Sequence, residues 1–124
     1  MSRLSEELRQ RTKRYASAVI RLYVQLLKSR KEVDVLGHQL LRSGTSVAAH
    51  AREASRARST AEFCSKIEGA LQEADESHLW LELLQEDCGI EDERIQDLLR
   101  ETGEIIAIFA SMAAKLKNAK TLKC

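Results

Sequence analysis

Hydrophobic residues recur along the chain at alternating spacings of three and four positions, the spacing that places side chains on one face of an α-helix. Four separate stretches follow this pattern and predict helices over about residues 5–29, 33–57, 60–88 and 91–118. The stripe of the first stretch consists of Leu8, Thr12, Tyr15, Val19, Leu22 and Leu26. The pattern therefore predicts an all-α protein.

The second stretch is interrupted in its middle by the small residues Ser43-Gly44-Thr45-Ser46. A glycine costs a helix about 1 kcal/mol relative to alanine, yet the apolar pattern resumes in register at Val47. We therefore expect one continuous or slightly kinked helix rather than two short ones. The small side chains would also let a neighbouring helix come close at this point.

The third stretch has the most regular pattern and the clearest boundaries. Ser59 and Glu62 have the spacing of a capping box, in which the serine side chain accepts from a free amide at a helix N-terminus. Gly89 followed by Ile90 is typical of a helix C-terminus, with the glycine in the left-handed conformation. Between these signals the four-three alternation continues through Phe63, Ile67, Ala70, Ala74, Ser77, Leu81, Leu84 and Cys88.

The length of the chain and its lack of proline indicate how these helices combine. A chain of 124 residues is long enough for one domain, and no proline interrupts the helical stretches. Long helices joined by short connections pack as antiparallel neighbours. We therefore expect residues 1–124 to form a single antiparallel up-down-up-down four-helix bundle.

The third helix has more apolar surface than the core of one bundle needs. Leu79, Trp80 and Leu83 lie off its main stripe, so this part of the helix is apolar over much of its circumference. Such a surface favours self-association at an interface formed by these three residues. The alternative is that the tryptophan covers one end of the bundle within a single chain.

The formal net charge of +1 conceals an uneven distribution. Residues 1–58 contain 13 Lys and Arg against 5 Asp and Glu, residues 59–104 contain 3 against 14, and residues 105–124 contain 4 and no acidic residue. This distribution fits either a basic helix paired with an acidic one or a functional basic face. Since no aromatic residues are interleaved with the cations, nucleic acid would be bound through its phosphates. The candidate phosphate contacts are Arg9, Arg11, Lys13, Arg14, Arg21, Arg52, Arg56 and Arg58.

Motifs of catalytic, cofactor-binding and metal-binding sites do not occur in the sequence. It contains no glycine-rich phosphate loop, GxSxG or HExxH motif, and its three cysteines include no CxxC pair. Asp75 and His78 have the spacing of the Glu-x-x-His motif of di-iron bundles, but such a site needs that motif twice and further inward carboxylates. We expect a protein that is not an enzyme and binds no cofactor or metal.

The sequence also bears on location. Residues 1–14 are strongly charged and lack the apolar run of a signal peptide. No stretch contains the ~18 consecutive apolar residues of a transmembrane helix. These features predict a cytoplasmic protein that does not associate with a membrane.

Charged residues of the second and third helices are candidates for pairing between helices. In an antiparallel arrangement Arg42 or Arg52 can reach Glu73 or Glu76. A buried ion pair fixes the register of two helices, and removing one partner typically costs about 3–5 kcal/mol. We expect these residues to align the second helix with the third.

Two parts of the chain resemble a known family. The first is residues 36–54, with the sequence LGHQLLRSGTSVAAHAREA, and the second is a set of positions in the third helix. Those positions are Phe63, Lys66, Ala70, Glu73, Glu76, Trp80, Leu81, Leu83 and Leu84. The family is that of the bacterial four-helix-bundle proteins of 23S ribosomal RNA intervening sequences. The resemblance covers about half the chain, and the first and last helices match only in pattern.

The resemblance implies a small cytosolic protein whose relatives assemble as rings of five bundles. We interpret the chain as a homo-oligomer, a pentamer by resemblance, that acts as a binding or scaffold protein for RNA or a ribonucleoprotein. Two alternatives are an accessory protein of a retroelement, which binds a reverse transcriptase and its RNA, and a protein–protein adaptor that binds no nucleic acid. His50 stands where the family usually has Asn. Polar positions that match the family, and that we interpret as packing and register determinants, are Gln39, Arg42, Ser46, Glu53, Glu73 and Glu76.

Overall fold

The computed structural model describes residues 3–118, and within them the chain is all-α. The helices are α1 (Glu6–Gln25), α2 (Lys31–Ser55), α3 (Thr60–Glu86) and α4 (Glu93–Asn118). Each helix packs against its neighbours in chain order, and α1 closes the ring by packing against α4. The result is the antiparallel up-down-up-down four-helix bundle that the apolar periodicity predicts. The seam between α1 and α4 is the loosest of the four.

The core consists of the apolar stripes that the spacing identified. All six stripe residues of the first helical stretch are buried, and so are all eight of the third. The largest fully buried side chains include Leu22, Leu40, Ile67, Leu84 and Phe109, which come from all four helices. One continuous hydrophobic core therefore runs along the bundle.

Helix α1 ends at Gln25, four residues before the predicted position, because Leu26 adopts an extended backbone with ψ of 146°. The Lys28 ammonium returns to the helix end and donates to the carbonyl oxygen of Tyr23 at 2.6 Å. The same ammonium lies 4.3 Å from the centre of the Tyr23 ring. A basic residue thus satisfies the C-terminal carbonyl groups from outside the helix.

Helix α2 is continuous through its small residues, as expected. Gly44 faces α1, where a Cβ atom would lie 2.8 Å from Cγ2 of Val19. On the other side, the hydroxyls of Ser43 and Ser77 form a buried hydrogen bond of 2.7 Å between α2 and α3. The small residues therefore bring both neighbouring helices close to α2.

The predicted boundary signals of α3 are present in the structure. The Ser59 hydroxyl accepts a hydrogen bond from the Glu62 amide at 3.1 Å, and α3 begins at the next residue, Thr60. After α3, Gly89 has φ of +67°, and the Ile90 amide donates to the Leu84 carbonyl at 3.1 Å. Glycine is favoured at this position because a Cβ atom would be strained in the left-handed region.

Helix α4 begins two residues later than the spacing predicts, at Glu93. The Asp92 carboxylate accepts a hydrogen bond from the Arg94 amide at 2.9 Å. A carboxylate in this position is favourable because it meets free amides at the positive end of the helix. Asp92 therefore stabilises the start of α4. Glu91, where the predicted helix begins, lies outside the helix.

Candidate nucleic-acid interface

A basic groove lies in the half of the bundle that holds the connection between α2 and α3. It has a volume of about 830 Å³ and is lined by the start of α1, the end of α2 and the start of α3. The cations of this basic groove are Arg9, Lys13, Arg52, Arg56, Arg58 and Lys66. Because α1 and α2 are antiparallel, residues about forty positions apart in the sequence meet at this level of the bundle.

Most of the cations in the basic groove are not neutralised by carboxylates. Arg9 pairs with Glu6 at 2.5 Å, and Lys66 pairs with Glu53 at 3.3 Å. Within residues 3–118, the other four cations of the groove make no ion pair. Two carboxylates, those of Glu53 and Glu62, line the groove beside the six cations. The groove therefore carries a positive charge that an anionic partner could neutralise.

The floor of the basic groove is small and contains no aromatic side chain. Ala48 and Ala49 line it between the charged residues. Bases of a single strand are usually bound by stacking on aromatic rings, and none is offered here. The arrangement suits contacts with phosphate oxygens along a backbone, which are independent of base sequence.

The remaining arginines of the predicted set face the other side of α1. Arg11 donates to both oxygens of Glu101, at 2.7 and 2.8 Å, and to Glu104 at 2.8 Å. Hydrogen bonds to these two carboxylates raise the pKa of Arg11. The same hydrogen bonds join α1 to α4. Arg14 and Arg21 line a separate groove between the same two helices. The eight candidate residues are therefore divided between two surfaces.

Arg42 holds α2 against α3 through two carboxylates. Its guanidinium lies 3.2 Å from Glu73 Oε2 and 2.7 Å from Glu76 Oε1. The Arg42 side chain is 51% exposed and that of Glu73 only 16%, and Glu73 Oε1 is buried without a hydrogen-bond partner. Arg42 and its two carboxylates therefore form a partly exposed group of ion pairs rather than a buried one. We expect its contribution to stability to be smaller for that reason.

Other members of the predicted polar set have different surroundings. Arg52 lines the basic groove and Glu53 pairs there with Lys66, while Gln39 is exposed on α2. His50 uses Nδ1 to bond the Ser46 carbonyl at 2.9 Å. The ring of His50 covers Gly69 so closely that a Cβ atom there would lie 2.5 Å from it.

The half of the bundle opposite the basic groove exposes apolar side chains, and we call it the apolar half. Leu79 is 45% exposed, whereas Trp80 packs partly against the core and Leu83 is half-buried. The indole Nε1 of Trp80 is buried without a hydrogen-bond partner. The large exposed hydrophobic residues within 3–118 all lie in this half: Ile20, Val24, Leu27, Val35 and Leu79.

Comparison with known proteins places this bundle in a family. A family model described as 23S rRNA-intervening sequence protein matches residues 6–111, which is most of the chain. The chain belongs to the 23S rRNA-intervening sequence protein family. A solved structure with 34% sequence identity and a TM-score of 0.76 is a protein of unknown function from the S23 ribosomal protein family of Bacteroides thetaiotaomicron. The similarity covers 85% of this chain and 96% of that one, and no curated protein matches the chain.

Asp75 and His78, whose spacing is similar to that of a metal-binding motif, lie on α3, and the thiol of Cys88 follows just after this helix. Residues 3–118 contain no group of three or more potential metal ligands. Asp75 is exposed, and His78 Nδ1 lies 3.4 Å from Glu82 on the same helix. Cys88 is a buried free thiol whose pKa is raised by burial, which makes it a poor nucleophile. Cys124 lies outside the described residues.

No helix within 3–118 combines enough length with enough apolar character to cross a bilayer.

Sequence reasoning missed several residues of these surfaces. Lys66 completes the basic groove, but it lies in the acidic segment of the chain and charge counting gives no reason to select it. Ile20, Val24 and Leu27 enlarge the apolar half, and their spacing of four and three positions was a detectable signal of a second stripe on the first helical stretch.

Proposed function

We propose that this protein is a non-enzymatic, homo-oligomeric binding protein for RNA or a ribonucleoprotein in the cytoplasm. The observation that carries the proposal is the basic groove, in which cations from α1, α2, α3 and the connection between α2 and α3 lie together. Four of these cations, Lys13, Arg52, Arg56 and Arg58, have no ion-pair partner within the described chain. Family membership supports the same partner, since the family is named for an intervening sequence of 23S rRNA.

Binding in the groove is driven by the release of counterions from the phosphates. The affinity falls as the salt concentration rises. For a single strand, the slope of log affinity against log salt concentration becomes steeper by about 0.7 for each phosphate that is neutralised. Four free cations would therefore give a strong salt dependence and weak dependence on base sequence. Assembly of several chains would multiply this modest affinity, because the grooves would engage one RNA together.

The exposed side chains of the apolar half favour a second candidate function, that of a protein–protein adaptor. Val24 and Leu27 are 62% and 66% exposed. Contact of these large apolar side chains with water is unfavourable for a monomer. An adaptor would use this surface for another protein and would not need the basic groove. RNA binding separates the two candidates.

The test is direct binding of a labelled RNA fragment from a large-subunit rRNA intervening sequence. Affinity is measured for the purified protein at about 50 mM and about 200 mM salt. The variant Arg52→Ala/Arg56→Ala removes two free cations of the groove, and we expect it to bind at least about tenfold more weakly at low salt. The matched control Arg30→Ala/Arg100→Ala removes the same charge away from the groove.

We expect the control to bind as the unaltered protein does. Failure of the unaltered protein to bind RNA at low salt would overturn the RNA function and leave the adaptor. An equal loss in both double variants would show that net charge, and not the groove, determines binding.

A further inference from the structure

None of the aromatic residues of the chain lines the basic groove. The sequence contains two Phe, two Tyr and one Trp, and all of them lie within the described residues. Tyr15, Phe63 and Phe109 are buried in the core of the bundle. The rings of these three residues are therefore not available to a ligand at the surface.

The two partly exposed aromatic residues, Tyr23 and Trp80, lie far from the basic groove. Tyr23 follows Lys13 by about 15 Å along the axis of α1. Trp80 follows Lys66 by about 21 Å along the axis of α3. The ring of Tyr23 is also already in contact with the Lys28 ammonium, which lies 4.3 Å from its centre. Nucleotides bound in the groove therefore find no ring on which their bases can stack.

The lack of rings affects single-stranded and base-paired RNA differently. The bases of a single strand are free, and proteins bind them by stacking them on aromatic side chains. In a duplex the bases are already paired and stacked, and a protein that binds the duplex contacts mainly its phosphates and sugar hydroxyls. The basic groove can therefore satisfy a duplex with cations alone, whereas it leaves the bases of a single strand unbound.

Charge density also favours the duplex. A double helix carries one negative charge per about 1.7 Å of its axis, and it releases about 0.9 counterion for each neutralised phosphate, against about 0.7 for a single strand. The four cations of the groove without an ion pair in residues 3–118 are all exposed: Lys13, Arg52, Arg56 and Arg58. These cations therefore release more counterions from a duplex than from a single strand.

The cations of the basic groove are arranged in rows on adjoining helices. Arg9 and Lys13 are about 6 Å apart along the axis of α1. Arg52 and Arg56 have the same separation at the end of α2. Since a duplex holds its phosphates at fixed spacing, it loses less conformational freedom than a flexible single strand when such rows bind it.

We propose that the basic groove binds the phosphate backbone of base-paired RNA in preference to single-stranded RNA. The inference rests on the proposed function and names the form of RNA that the same groove takes. Lys13, Arg52, Arg56 and Arg58 make the contacts, and the bases stay inside the duplex. Binding is therefore independent of the order of the base pairs.

The test compares two labelled RNAs that carry the same number of phosphates. One is a duplex of about 16 base pairs, and the other is a uridine-rich single strand of about 32 nucleotides that forms no base pairs. Fluorescence anisotropy measures their binding to the purified protein between about 50 mM and about 200 mM salt. We expect the duplex to bind at least about tenfold more tightly at low salt, with a steeper dependence of log affinity on log salt concentration.

Two pairs of substitutions locate the contacts. Arg52→Ala/Arg56→Ala and Lys13→Ala/Arg58→Ala each remove two unpaired cations from exposed positions, so the fold is kept. Each double variant should bind the duplex at least about tenfold more weakly at low salt, and the slope against log salt concentration should fall by about 2 for each groove that engages the RNA.

The control Arg30→Ala/Arg100→Ala removes the same charge away from the groove and should bind the duplex as the unaltered protein does. A single strand bound as tightly as the duplex would overturn the inference and leave the proposed RNA function standing. No binding of either RNA at low salt would overturn both. Duplex binding that neither groove variant weakens would also overturn the inference, because the duplex would then lie on another surface.

Discussion

Gly44 of α2 lies directly against Val19 of α1, and the two Cγ atoms of the valine would stand 2.8 and 3.0 Å from a Cβ atom on the glycine. Real Cβ atoms do not approach other carbon atoms so closely, so one of the helices would have to move. Val19 is fully buried and cannot turn away from the contact. The absence of a side chain at Gly44 therefore sets the distance between α1 and α2.

Replacing Gly44 with alanine should destabilise the protein although alanine is the better helix former. The gain in helix propensity is about 1 kcal/mol, while overpacking a buried contact costs about 1–3 kcal/mol. We expect a net loss of about 1 kcal/mol in the free energy of unfolding, measured by chemical denaturation. Gly103→Ala is the matched control, since nothing lies near its Cβ position, and it should stabilise the protein. A stabilising Gly44→Ala would contradict the close packing.

Arg42 and Glu73 should be coupled, but less strongly than a buried pair. Glu73 is mostly buried and pairs with the half-exposed Arg42 at 3.2 Å. In a double-mutant cycle with alanine, we expect a coupling energy of about 0.5–1 kcal/mol, well below the roughly 3–5 kcal/mol lost when a fully buried pair is broken. The control cycle is Asp97 with Arg100, both largely exposed, where the effects should be additive. Additive losses at Arg42 and Glu73 would show that the pair does not link α2 to α3.

Tyr15 should make stability depend on pH above about 10. Burial raises the pKa of Tyr15, so at alkaline pH the unfolded chain releases this proton while the folded chain retains it. Stability from this group is complete below the ordinary tyrosine pKa of about 10 and is lost as pH rises above it. Tyr15→Phe should cost about 1 kcal/mol at pH 7, because the hydrogen bond to Thr102 is lost.

The disadvantage of Tyr15→Phe should then shrink as the pH rises above 10, since phenylalanine has no proton to release. Denaturant unfolding at several pH values between 7 and 11 measures this difference. Tyr23→Phe, at a partly exposed ring, serves as the control for removing a tyrosine hydroxyl. A difference that stays constant up to pH 11 would show that Tyr15 ionises equally well in the folded state.

Charged substitutions in the apolar half should dissociate an oligomer without unfolding its chains. Val24 and Leu79 are 62% and 45% exposed, so a carboxylate there is tolerated by a single bundle but not by a buried interface. We expect light scattering to show a lower mass for Val24→Asp and Leu79→Asp. Ala110→Asp, exposed in the other half of α4, should leave the mass unchanged. A monomeric unaltered protein would contradict self-association.

The spacing of apolar residues predicted the bundle well because burial of a stripe depends only on helix period. From Phe63 to Cys88 every predicted core position is buried, and the turn at Gly89 has the expected backbone conformation. The end of α1 was harder to predict. The extended Leu26 and the returning Lys28 leave Leu27 outside the helix, although its hydrophobic character continues the pattern.

The composition of the surfaces could not be predicted from the stretches taken one at a time. Arg9 and Arg11 are two positions apart, yet one faces α2 and the other faces α4. Which residues share a groove depends on how each helix is rotated about its axis and on which helix it meets. Lys66 lies in the basic groove for the same reason, because the packing of α3 against α2 brings it close to Glu53.

The near cancellation of charge has a consequence for kinetics. With a net charge of +1, the chain presents little attraction to a polyanion that is further away than about 8 Å, the screening length at physiological salt. The groove's cations act only once the polyanion is within that range. Encounter should therefore proceed at the rate of an uncharged pair, and salt should shorten the lifetime of the complex far more than it slows its formation.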